Sequence, residues 1–189
     1  MADEKRTDTD PLKNQEPDPR MDEFKKSPDP WKEIAQLTWG GDRTHASTIQ
    51  TLIMDADPSQ YPAFEKKLLG LVTAHAYEAA GLDFVCRMLR LIGSPASVPV
   101  LAPLLADEKT ADAARHALHT IPGTEVSAAL RAALPALKGR PKAGLIGTLA
   151  ARGDRDAQAA IQAIAKDPSE TAEVREAAAL AAATLGGAQ

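Results

Sequence analysis

His116 and His119 stand three residues apart in a stretch rich in alanine. On a helix that spacing turns both imidazoles to one side, where with His75 as a third ligand they would reach one metal ion. A dedicated site also needs carboxylates at a fixed offset, and none is spaced beside these histidines. They are therefore expected on a helix surface or at a helix end, with no metal and no cofactor. Cys86 is the only cysteine, which excludes an intrachain disulfide and a cysteine-based zinc site. With no base beside it, it is expected to pack as a small apolar side chain between Val85 and Leu89 rather than to act as a nucleophile. No catalytic residue is assigned.

Charge offers more. Arg87, Arg90, Arg115, Arg131, Lys138, Arg140, Lys142 and Arg152 fall within residues 87–152, while acids concentrate near the amino end and in the last repeat. A row of such cations would suit an acidic peptide or a phosphate backbone. The competing use is pairing with Asp and Glu on adjacent helices. Trp31, Trp39 and Tyr61 cluster near the amino end. There they would either anchor a partner or seal the end of the apolar interior.

The composition limits what can hold these residues. The chain has 189 residues, of which 44% are hydrophobic and only 4% aromatic. A core of Ala, Leu, Ile and Val suits closely spaced helices better than packed sheets. A net charge of −4 argues against a generic nucleic-acid binder, although a local basic patch remains compatible with it. The charged start Met1-Ala2-Asp3-Glu4-Lys5-Arg6 lacks the apolar stretch of a signal peptide, and no run approaches the ~18 apolar residues of a membrane helix. A soluble cytoplasmic protein is expected.

Residues 1–28 are rich in charge and proline, with Leu12 and Phe24 as the sizeable apolar residues besides methionine, and read as a disordered leader. Asp29-Pro30-Trp31 reads as a helix start, with Trp31, Ile34, Leu37 and Thr38 on one face. A second helix over about 44–56 would turn Ile49, Leu52 and Ile53 inward, so 29–57 form two capping helices. Beyond them Gly93, Gly123 and Gly153 recur every thirty residues, each closing an apolar helical run, and Gly186-Gly187 closes the last. A fixed period of this length marks stacked helix pairs, here 58–93, 94–123, 124–153 and 154–187. The glycines are expected in the left-handed conformation that ends many helices. Pro103 and Pro135 should kink the helices that contain them.

Val98-Pro99-Val100-Leu101-Ala102-Pro103-Leu104-Leu105-Ala106-Asp107 resembles the first helix of a HEAT repeat, in which Val-Pro-x-Leu-x-x-Leu-Leu-x-Asp is common. Val174-Arg175-Glu176-Ala177-Ala178-Ala179-Leu180 and onward to Gly186 resembles the second helix of the short bacterial subclass named after the phycobilisome lyases, as does Phe84 to Gly93. The resemblance covers 58–187. It implies an all-α, right-handed α-solenoid of about four HEAT-like helix pairs, serving as a protein–protein scaffold or adaptor. In such solenoids the second helices line the concave side, so Arg90, Arg115, His116, Lys142 and Arg152 would form a basic stripe there, with Trp31 and Trp39 at the amino end. A protein partner is the expectation. HEAT-like DNA glycosylases use a basic concave face, so nucleic-acid binding or repair is the alternative. An enzyme of the lyase or hydroxylase kind comes third, since the hydroxylases' His-Glu pairs are absent here.

Overall fold

The computed structural model describes residues 29–75 and 77–187. The leader expected over 1–28 lies outside the described residues. Within them the chain is all-helical, with no strand. Helix α1 (Pro30–Glu33) starts where Asp29 accepts the N–H of Trp31 at 3.1 Å, and it runs on as a 3₁₀ turn to Gln36. Helix α2 (Thr44–Met54) begins beside Asp42, which accepts from the Thr44 amide at 2.9 Å. Both carboxylates satisfy amides that a first helical turn leaves without partners.

Four helix pairs follow. The first is α3 (Tyr61–Thr73) with α4 (Ala79–Ile92), and the second is α5 (Val98–Leu101) with α6 (Ala111–Leu118). The third is α7 (Thr124–Ala133) with α8 (Gly139–Ala151), and the fourth is α9 (Gln158–Lys166) with α10 (Ala172–Gly187). Helices α4, α6, α8 and α10 pack in succession, while α3, α5 and α7 form a second row. One apolar core runs between the rows from Ile34 to Leu185. Ala114, Ala117, Ala178 and Ala181 are buried in it, and their small side chains let the helices approach closely.

Prolines and glycines explain where the helices change. Helix α5 gives way to a 3₁₀ segment over Ala102–Ala106, which holds Pro103, and α7 to one over Leu134–Ala136, which holds Pro135. Each proline lacks an amide and its ring crowds the carbonyl four residues back, so the regular ladder stops. Gly153 has the expected left-handed backbone (φ 66°), but Gly93 does not (φ −65°). A Cβ on Gly93 would stand 2.4 Å from the Leu89 carbonyl oxygen and 2.8 Å from Ile121 Cδ1. Its smallness serves close packing against the next pair instead of a turn. Helix α10 takes in Gly186 and has its last residue at Gly187. Leu52, expected inward, is 45% exposed, and the buried face of α2 is Ala46, Ile49 and Ile53. Those positions keep the three-to-four spacing of one helical face, and Leu52 falls beside it.

Candidate functional site

Successive second helices build one small pocket of about 300 Å³. Helix α4 brings Arg90, α6 brings Arg115 and His116 with His119 just past its end, and α8 supplies Gly144, Gly147 and Thr148. Arg90 Nη1 lies 3.0 Å from His116 Nδ1, and a guanidinium can only donate, so that imidazole nitrogen accepts. Arg115 pairs with Asp112 through Nη2 at 3.0 Å and donates Nη1 to Thr148 Oγ1 at 3.1 Å on α8. That crossing depends on Gly144, because a Cβ there would meet Arg115 Nε at 3.1 Å and Cζ at 3.3 Å. The Gly-x-x-Gly spacing of 144 and 147 was a visible signal for such a crossing, and sequence reasoning passed over it.

The pocket carries unbalanced positive charge. Among the described residues no carboxylate pairs with Arg90, and Asp112 is spent on Arg115. Burial, then Arg90 and Arg115, lowers the pKa of His116, with Asp83 opposing. Burial, then Arg90, Arg152 and Arg115, lowers that of His119. Both rings are thus biased towards the neutral form, by burial first and by the neighbouring cations second.

The remaining cations of the expected stripe are used otherwise. Lys142 is only 8% exposed and forms an ion pair with Glu170 of the next pair. Arg152 donates to the carbonyls of Ile121 at 2.8 Å, His119 at 2.9 Å, Leu118 at 3.1 Å and Gly123 at 3.2 Å, and to Ser127 Oγ at 3.3 Å. It thereby satisfies the orphan carbonyls that follow α6. Arg131 grips both oxygens of Asp154 at 2.6 Å. Lys138 and Arg140 are exposed. Arg90, Arg115 and His116 are therefore brought together, and Lys142 and Arg152 are not part of their pocket.

At the amino end Trp31 stacks on Phe64 with ring centres 5.8 Å apart, and Lys67 Nζ stands 4.9 Å over it. Trp39 is 69% exposed. Tyr61 lines a larger groove of about 880 Å³ along α3, whose buried carboxylate, Glu65, accepts from Ser94 N at 2.8 Å and Ser97 Oγ at 2.6 Å. Nothing local in the sequence marks Glu65, because its partners lie in the following loop about thirty residues on. Cys86 is buried, and burial with help from Asp83 pushes its thiol up to about 12, far from a reactive thiolate. Among the described residues no three of His, Cys, Asp and Glu gather as metal ligands, and no helix is long and apolar enough to cross a membrane. No family model, curated protein or solved structure matches the chain.

Proposed function

We propose that the chain is a right-handed HEAT-like α-solenoid of four helix pairs with a two-helix amino-terminal cap, acting as a non-catalytic binding module for another protein in the cytoplasm. The observation that carries this reading is the Arg90–Arg115–His116–His119 pocket, to which three successive second helices contribute. A surface assembled from corresponding positions of stacked pairs is how a repeat protein recognises a partner. The links between pairs support the stacking. Arg131–Asp154 spans 23 residues, Glu65–Ser94 spans 29 and Arg152–Leu118 spans 34, so each ties one pair to the next.

Nucleic-acid binding fits less well. A backbone-tracking groove needs a run of free cations, and Lys142, Arg152 and Arg131 are already committed to Glu170, backbone carbonyls and Asp154. The test is affinity capture from cells with tagged wild type, Arg90→Glu, and Glu108→Lys as a distant surface control. A protein held in stoichiometric amount by wild type and control, and lost with Arg90→Glu, is the expected result. Capture indifferent to Arg90→Glu, or of nucleic acid alone, would overturn the reading.

A further inference from the structure

We infer that the pocket formed by Arg90, Arg115, His116 and His119 binds a phosphoryl group, as the dianion of a phosphate or phosphate monoester. This rests on the reading of the second-helix surface as a binding face, and it names the chemistry of what that face takes.

The case begins with charge and geometry. Arg90 keeps donor groups beyond the one directed at His116 Nδ1, and no carboxylate among the described residues pairs with it. Arg115 lies across the Gly144 surface, held by Asp112 and Thr148, with its guanidinium at the same pocket wall. Arginine's fixed fork of donors matches oxyanion geometry, and two such forks with two imidazoles exceed what one carboxylate can use. On the α8 wall, beside Thr148, Gly144 gives its surface to the Arg115 guanidinium and Gly147 faces open space, with nothing within 4 Å of where a Cβ would stand.

The second strand concerns protons. The charged groups facing His116 are Arg90 and Asp83 from α4 and Arg115 and His119 from α6, and Asp83 is itself paired with Arg87 at 3.1 Å. His119 faces Arg90, Arg115 and Arg152. An anion seated among them relieves the repulsion that keeps the rings neutral, so it draws protons onto them. Binding therefore strengthens as pH falls into the histidine range. A phosphate monoester, whose second pKa is about 6, retains much of its second charge in the upper part of that window.

The experiment uses the full chain labelled with ¹⁵N, with histidine ring resonances followed as inorganic phosphate replaces chloride at constant ionic strength near pH ~6.5. His116 and His119 are expected to move saturably while His45 and His75, which line other surfaces, stay in place. The apparent pKa of His116 rises in phosphate relative to chloride. Arg90→Gln weakens binding about tenfold, the worth of one charge-assisted hydrogen bond, and Arg90→Lys recovers part of it. Equal movement of all histidines, or a linear response with no saturation, overturns the inference.

A second arm compares a short phosphoserine peptide with its serine counterpart and with inorganic phosphate. Tighter binding of the phosphopeptide assigns the site to a phosphorylated side chain, and equal binding assigns it to free phosphate. Single-stranded DNA that shifts the same rings at lower concentration than either overturns the monoester claim. Histidines unmoved by phosphate, in a chain that still captures its protein partner through Arg90, sink the oxyanion pocket and leave the binding-module reading intact.

Discussion

At the end of α8, Arg152 directs its guanidinium at four backbone carbonyls and the Ser127 hydroxyl, whereas near the end of α4 the Arg90 guanidinium meets one imidazole, that of His116, at Nδ1 (3.0 Å) and Nε2 (3.4 Å). Arg90 lies in the last turn of α4, and Arg152 directly follows the last residue of α8, the second helix of a different pair. Beside Arg152 stands the Arg131–Asp154 pair, and near the start of α8 Lys142 pairs with Glu170, so each of these cations has a committed acceptor. Around Arg90 the cations outnumber their acceptors. The residue type is the same, so surroundings decide whether an arginine is structural or available. In this fold the later junctions are stapled, and the α4–α6–α8 surface keeps charge in reserve.

The largest effect expected from testing that contrast is at Lys142. Lys142→Ala leaves the partly buried Glu170 without its partner and should lower stability by about 3 kcal/mol in urea denaturation. Replacing both by apolar residues, Lys142→Met with Glu170→Leu, should restore most of that loss. A cost within experimental error for Lys142→Ala would break the distinction between stapled and reserved cations. Next comes Arg152→Ala, which frees carbonyls beyond α6 and should cost about 2 kcal/mol. By contrast, Arg90→Gln should change stability by less than about 0.5 kcal/mol, as at an ordinary surface position. Equal costs at the two arginines would erase the comparison.

The smallest effect is in pH dependence. His116 and His119 have proton affinities depressed in the folded state, so they bind more protons when unfolded. Their contribution to stability is fully present above the ordinary histidine value of 6.5 and is lost as pH falls below it towards the lowered values. Denaturation midpoints between about pH 7.5 and about pH 5.5 should therefore decline less in the double variant His116→Asn, His119→Asn than in wild type. Identical declines would mean that neither burial nor the neighbouring cations depress proton binding at the two histidines.

Helix positions were legible because apolar residues recur at helical spacing and because Asp29, Pro30, Pro103 and Pro135 mark starts and breaks. What escaped depended on neighbours distant in sequence. Gly93 gave the right boundary for the wrong reason, since its role depends on Ile121 arriving from the next pair. Leu52 was misassigned because it lies only about 60° from Ile49 around the helix, and packing against α4 selected Ile49 and Ile53. At the site, Arg90, Arg115 and His116 could be named from charge and period together. That Lys142 and Arg152 serve other ends could not, because Glu170 lies 28 residues away and the carbonyls that receive Arg152 belong to backbone, which carries no sequence signal. His119 was weighed as a metal ligand, and its arginine neighbours emerge only from the packing of α4 against α6.

The polar ties between successive pairs have a mechanical meaning. Joints connected end to end share any tension applied along them, so a pull at both ends of rows α4 to α10 loads each joint alike and the softest one opens first. Where α8 meets its neighbours, bonds from Arg152, Arg131 and Lys142 act as rivets. Where α4 meets α6, the Arg90–His116 contact and the Thr120 hydroxyl on the Arg90 carbonyl (2.7 Å) make a lighter hinge. An anion seated in that hinge would act as a removable bolt, making the stiffness of the α4–α6 joint a quantity that a ligand sets.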